Sequence, residues 1–253
     1  MYAAERQQRI IAQAHQAGRV EVAALAEELG VTPETVRRDL TALEGRGRLR
    51  RVHGGAIPVE RLEVEPTLAT RTARSTEEKR RIARRAVTEL PAEGTVILDA
   101  GSTTLGLIDL IPPNASLTII TNSVAAAGQL THHPEVHLYL LGGRIRGVTG
   151  AAVGDWAVGA LESITVDVAF MGTNGFSAAR GLTTPDQAES LVKRAMIEAA
   201  RRVVVLSDST KSGDDHLHRF AQLAETDLLI TDTGLDTDVQ AEITSLGPEV
   251  VLA

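Results

Sequence analysis

Four short stretches carry side chains suited to holding a phosphorylated, hydroxyl-bearing ligand. Asp99-Ala100-Gly101-Ser102-Thr103-Thr104 sets small residues where backbone can approach an anion, with three hydroxyls beside its N–H groups. Thr121-Asn122-Ser123 adds an amide and two more hydroxyls. Gly172-Thr173-Asn174-Gly175 and Ser207-Asp208-Ser209-Thr210-Lys211 supply a second amide and one lysine. Taken singly, each also reads as an ordinary turn or helix cap. Asp99, Gly101, Ser102, Thr103, Thr104, Thr121, Asn122, Ser123, Gly172, Asn174 and Lys211 are the candidate ligand residues.

A second kind of chemistry lies near the N-terminus, in VTPETVRRDLTALEGRGRLRRVHGG, residues 31–55. Thr32 can cap a helix and Pro33 suits its first position, where the missing N–H is not needed. Val31 and Val36 fall at the positions of a hydrophobic staple. Val36, Leu40 and Leu43 make one apolar face, so Glu34, Arg38 and Thr41 point outward with Thr35 and Arg37 on the flanks. Leu49-Arg50-Arg51-Val52-His53 follows as a basic strand turned back at Gly54-Gly55. A short turn between two small helices, followed by a basic hairpin, predicts a winged helix-turn-helix. Arg38, Thr35 and Thr41 would reach base edges, while Arg50, Arg51 and His53 on the wing would meet phosphate or the minor groove of double-stranded operator DNA; Thr32 and Arg37 complete the candidate DNA-binding residues.

Charge supports this division. The 253-residue chain has a net charge of −7. Residues 1–58 hold nine Arg, no Lys and seven acids, a balance of +2, leaving −9 for the remainder. Positive charge is thus concentrated where nucleic acid would lie. Upstream, residues 5–17 and 23–29 read as helices closed by Gly18 and Gly30, with a short strand between them.

The elements that must position the ligand stretches alternate. Strands are expected at 95–99, 117–121, 136–141, 166–171, 203–207, 228–231 and 250–252. Helices are expected at 103–110, 124–130, 154–161 and 187–200. This order predicts an α/β domain with a parallel sheet covered on both faces, and ligands at the C-terminal ends of its strands. Ser75-Thr76-Glu77-Glu78 reads as a capping box opening a helix through Leu90, whose outer face would carry Lys79, Arg80, Arg81, Arg84 and Arg85. The expected division is a DNA-binding domain at 1–57, a linker at 58–75 and a sensor domain at 76–253.

The sequence has no cysteine, which excludes disulfides and thiolate metal sites. His133 and His137 have i, i+4 spacing but Pro134 interrupts it, and His216 and His218 lie in a polar loop. No metal or cofactor is expected. No apolar run approaches the ~18 residues of a membrane span, and the first residues do not read as a signal peptide, so a cytoplasmic protein is expected.

TPETVRRDL followed by LRRVHGG resembles the N-terminal signature of DeoR-family transcriptional regulators. DAGSTT, TNS, GTNG, GLTTPD and DSTK follow in an order similar to that family's sensor domain. The resemblance implies a repressor that binds DNA as a homo-oligomer, and a sensor fold resembling ribose 5-phosphate isomerase that takes sugar-phosphate effectors. MYAAERQQ and GTNG look closest to the fructose-operon repressors, which makes fructose 1-phosphate the leading effector. The isomerase carries an Asp-Glu pair where Thr173-Asn174 stands here, and a lysine where Arg180 stands. Glu189 and Lys193 remain nearby. With its base missing, the domain is expected to sense rather than catalyse, and no catalytic residue is assigned.

Overall fold

Ile10 and Ala14 stand four residues apart and both are buried, so the helix that carries them packs one stripe inward. The computed structural model describes residues 3–45, 48–52, 54–58 and 65–253. It divides into two units, Met1–Glu65 and Pro66–Ala253.

The first unit begins with α1 (Ala3–Ala17), β1 (Val20–Glu21) and α2 (Val22–Leu29). Gly30 ends α2 with φ of 64°, its N–H reaching the carbonyls of Ala26 and Glu27. Then come α3 (Pro33–Gly45), β2 (Leu49–Val52) and β3 (Gly55–Pro58). The Thr32 hydroxyl accepts from the Thr35 N–H at 3.2 Å, as a cap should. Val31 packs against the cluster that contains Val36, Leu40, Leu43 and Leu49, which seats the staple. β3 lies between β1 and β2, antiparallel to both. Gly55 is obligatory there, because an added Cβ would sit 1.9 Å from the Val20 carbonyl oxygen.

The second unit opens with α4 (Leu68–Thr72) and α5 (Thr76–Ala86). Part of the interval expected as linker is therefore helical. The expected capping box is not formed. Ser75 takes φ of 50°, its hydroxyl does not cap α5, and α5 gives way to a 3-10 turn at Val87–Glu89. Lys79 is also not on the outer face but buried.

The chain continues through β4 (Glu93–Leu98), α6 (Ser102–Leu105), β5 (Ser116–Thr121), α7 (Val124–Leu130) and β6 (Val136–Leu140). A hairpin follows, β7 (Arg144–Arg146) and β8 (Ala151–Val153), then α8 (Asp155–Glu162) and β9 (Val168–Gly172). β10 (Gly175–Ser177), β11 (Gly181–Thr184) and α9 (Gln187–Glu198) lead to β12 (Val203–Leu206) and β13 (His218–Ala221). β14 (Leu228–Thr231), α10 (Thr237–Ser245) and β15 (Glu249–Leu252) complete it. The helix expected at 103–110 is only the four residues of α6, then a separate 3-10 turn at Ile108–Leu110. The two hairpins' strands, β13 and α10 were not expected.

Seven parallel strands form the main sheet in the order β15-β14-β12-β9-β4-β5-β6. Side chains alternate between its faces. Val96, Leu98 and Phe170 join the core on one face, and Ile97, Ala169 and Met171 the core on the other. From β4 the chain winds outward through β5 and β6, then returns to β9 and winds the other way. The strand order reverses between β4 and β9, so a crevice opens at their C-terminal ends. No helix among the described residues is long and apolar enough to cross a membrane.

Candidate functional site

Asp39 fixes which way α3 faces. It is buried, and it accepts from the Arg6 guanidinium and, at 2.9 Å, from the Gln7 amide, both on α1. On the opposite side Thr32, Arg37, Arg38 and Thr41 are exposed and Thr35 is half-buried. Arg37 pairs with Glu34 at 3.1 Å. Arg38 is exposed and makes no hydrogen bond or ion pair with any described residue. Thr41 donates to the Arg37 carbonyl at 2.9 Å and accepts from the Arg51 guanidinium at 3.1 Å. The Arg51 N–H donates to the Glu44 carboxylate at 2.9 Å. The wing strand is therefore tied to the helix it flanks. Arg50 is half-buried, and His53 lies outside the described residues.

In the second unit the four ligand stretches do converge, at the crevice between β4 and β9. Asp99 follows β4 and is buried. Its Oδ2 accepts the Gly172 N–H at 2.9 Å and the Lys193 ammonium, which also donates to the Gly172 carbonyl at 2.9 Å. Gly101 and Gly172 face each other closely, an added Cβ on either lying 3.9 Å from the other's Cα. The Asp99 Oδ1 and the Thr103 hydroxyl are buried with no hydrogen-bond partner among the described residues. Several expected ligand groups instead point at the protein. Thr104 donates to the carbonyls of Asp99 and Gly101, at 2.7 and 2.9 Å, and Thr121 to that of Leu98, at 2.6 Å. Asn122 accepts the Ala100 N–H at 2.8 Å, and Ser123 caps α7. These residues shape the loops. With α6 only four residues long, its dipole adds little to anion binding.

Besides Lys211, positive charge comes from residues outside the expected ligand set. Lys79 on α5, Lys193 on α9 and Arg71 on α4 all act electrostatically on Lys211, as does Asp208. Lys211 donates to the Thr173 carbonyl at 2.9 Å. Burial pushes its ammonium down to about 8; Asp208 opposes this, and Lys79, Arg71 and Lys193 add to it. Burial likewise lowers Lys79, which Asp208 opposes and Arg71 and Arg74 reinforce. Burial raises Asp99, opposed by Lys193 and the Gly172 N–H. The like charges that depress Lys211 are ones an anion beside it would offset. A signal for two of them was present. Lys79 shares its helix face with buried Ile82, Ala83 and Ala86, and Lys193 shares its own with Glu189, Met196 and Ile197.

Glu189 is engaged rather than poised as a base. It is buried and accepts from the Thr149 hydroxyl and from Arg146, at 2.8 Å, while Arg146 also pairs with Asp186 at 3.1 Å. No group of histidines and carboxylates able to hold a metal occurs among the described residues.

Two family models match the chain, a DeoR-like helix-turn-helix domain over residues 6–61 and a DeoR C terminal sensor domain over 74–233. The HTH-type transcriptional regulator GlpR of Haloferax volcanii is 39% identical over 99% of this chain and 98% of its own length. An uncharacterized HTH-type transcriptional regulator of Bacillus subtilis, FruR, is 35% identical over 92% of each chain. Among solved structures, ribose 5-phosphate isomerase A from Methanocaldococcus jannaschii aligns over 54% of each chain, with 19% identity and a TM-score of 0.40.

Proposed function

The chain belongs to the DeoR family of helix-turn-helix transcriptional regulators, and from that premise we propose that it represses a sugar-utilisation operon until a phosphorylated sugar enters the crevice between β4 and β9. It is a regulator, not an enzyme. Residues 1–57 hold the operator as part of a homo-oligomer, so that two recognition helices meet two half-sites. Arg38, Thr35 and Thr41 read bases while Arg51 and its neighbours hold the backbone. The unit that begins at Pro66 is the sensor, and fructose 1-phosphate is the leading effector.

One observation carries the effector reading. At the crevice Lys193 and Lys211 donate to the adjacent carbonyls of Gly172 and Thr173, each at 2.9 Å, and burial together with the charges of Lys79, Arg71 and Lys193 pushes the Lys211 ammonium down to about 8. Such a cluster costs free energy when empty and recovers it when a dianion arrives. Asp99 Oδ1 and the Thr103 hydroxyl, both buried without a hydrogen-bond partner among the described residues, offer an acceptor and a donor to a sugar hydroxyl. The effector shifts the equilibrium only if it binds the released state more tightly than the DNA-bound one. The test is a fluorescence-anisotropy titration of fructose 1-phosphate, fructose 1,6-bisphosphate and ribose 5-phosphate into preformed protein–operator complex. Release by at least one at concentrations where the unphosphorylated sugars do nothing is expected. Equal effects of phosphorylated and unphosphorylated sugars would sink the proposal.

A further inference from the structure

The main sheet ends on β6, and this edge lacks the usual protection. Among the described strands β6 pairs with β5 alone, in unbroken register from Val136 to Leu140. Exposed edges are ordinarily blunted by a charged side chain, a proline or a bulge. Val136-His137-Leu138-Tyr139-Leu140 has no lysine, arginine, acid or proline, and its register carries no bulge. The residue after the strand shows which backbone groups face out. The Leu141 N–H donates to the Thr121 carbonyl on β5 at 2.8 Å. By alternation His137 and Tyr139 also turn their backbone toward β5, and Leu138 and Leu140 turn theirs outward.

The side chains along this edge are apolar and uncovered. Val136 and Leu138 pack on the core that α7 helps to form. Tyr139 stands on the other face of the sheet, in register with Ile120 of the opposite core. It is 62% exposed there and Leu140 is 50% exposed, whereas Phe170, Phe176 and Phe220 are all buried. Exposed tyrosine is enriched where protein surfaces meet. The ends of the strand differ in charge. Glu135 precedes it and Arg144 follows it; both are exposed, and neither makes a hydrogen bond or ion pair with any described residue.

We propose that β6 is where a second copy of this chain docks: the two β6 strands pair antiparallel about a two-fold axis at Tyr139, joining two seven-stranded sheets into one. This names the contact behind the homo-oligomer proposed above and rests on that reading. The edge is complementary to itself, as a two-fold contact requires. An axis at Tyr139 sets Leu138 of each copy opposite Leu140 of the other, so the outward backbone groups bond in pairs. The two Tyr139 side chains then meet on one face at the axis, where opposed residues come closest. Antiparallel strands also carry Glu135 of each copy toward Arg144 of the other. Parallel pairing would bring like charges together at both ends.

Analytical ultracentrifugation of the full chain at low salt, with and without operator DNA, tests this. The parent should associate without DNA. Tyr139→Glu alters an exposed side chain and sets like charges face to face, so it should weaken association roughly 30-fold or more. Glu135→Arg makes both ends of the strand basic, and Arg144→Glu makes both acidic. Each alone should weaken association roughly 5- to 30-fold, as two exposed pairs turn from attraction to repulsion. Mixed in equal amounts, these two variants should associate as the parent does, because every charge then meets its opposite. That recovery also shows both to be folded. Single variants that associate as tightly as the parent would overturn the β6 contact and leave the homo-oligomer standing. Weakened variants that do not recover on mixing would overturn the antiparallel pairing. A parent that is monomeric without DNA would overturn the contact, and one chain per operator would overturn the homo-oligomer reading as well.

Discussion

Effector affinity should fall as pH rises from 7 to 9, and Lys211 sets the size of the fall. Its ammonium ordinarily titrates at 10.5 and is pushed down to about 8 in the empty crevice, by burial and by Lys79, Arg71 and Lys193 against Asp208. A phosphate dianion beside it favours the charged form and moves it back toward its ordinary value. Below about pH 7 the group is protonated both empty and occupied, so affinity is constant. Above that the empty protein progressively loses the proton, and binding must restore it. Between pH 7 and 9 the protonated fraction of the empty site drops from about nine-tenths to about one-tenth, which weakens binding roughly 10-fold, or about 1.4 kcal/mol. The ligand does not confound this, because its second phosphate ionisation lies near 6 and is complete. Calorimetry at pH 8, in two buffers of different ionisation enthalpy, should find about half a proton taken up per site. Lys211→Arg should bind well with most of the slope gone, and any slope that survives belongs to Lys79, which burial also lowers. An affinity that is flat from pH 7 to 9, with no proton uptake at pH 8, would refute the reasoning.

Five further substitutions have outcomes that can be checked directly. Arg38→Ala should cost about 1–3 kcal/mol on the operator and relax sequence preference in a competition binding assay, whereas Arg51→Ala should weaken operator and random DNA alike and lower the salt slope by about one. Thr103→Glu puts a carboxylate beside the site proposed for phosphate, so in an anisotropy titration it should hold operator at effector concentrations that release the parent; normal release would move the site elsewhere. Lys193→Met leaves Asp99 buried with its ion-pair partner removed, and urea unfolding should show a loss of about 3–5 kcal/mol. Gly55→Ala forces a methyl to within 1.9 Å of the Val20 carbonyl unless the wing shifts, so thermal melting should report a loss of about 2 kcal/mol or more, with operator affinity falling too.

The DNA-binding half was the more legible because its signals are local. The Thr32 cap, Pro33, the Val31 and Val36 staple and the stop at Gly30 each act within a few residues, and all appear in the structure. The parallel sheet was legible from strand and helix alternation, since its strands carry apolar residues toward both faces. What failed was set by distant groups. Ser75-Thr76-Glu77-Glu78 has the composition of a capping box, but Ser75 sits in the tight turn between α4 and α5, at φ of 50°, where its hydroxyl does not reach the cap position. The helix expected through Leu110 stops at Leu105. Of the ligand stretches, the loop positions were found, but most of the charge was not. Lys79 was assigned to a solvated basic face because five cations crowd that helix, although its spacing to Ile82, Ala83 and Ala86 places it inward. Arg71 lay in a stretch read as linker.

The hydrogen bond between Arg51 and Thr41 bears on how this regulator could be retargeted. Thr41 belongs to the helix proposed to read bases and Arg51 to the strand proposed to hold the backbone, and the Glu44 carboxylate ties the same strand back to that helix. Substitutions at positions 41 and 51 should therefore not add, since each changes what the other touches. A library that diversifies only the helix would sample new side chains against a wing still shaped for the old ones. Helix positions 38 and 41 randomised together with 51 would let the pair be selected as one reading surface.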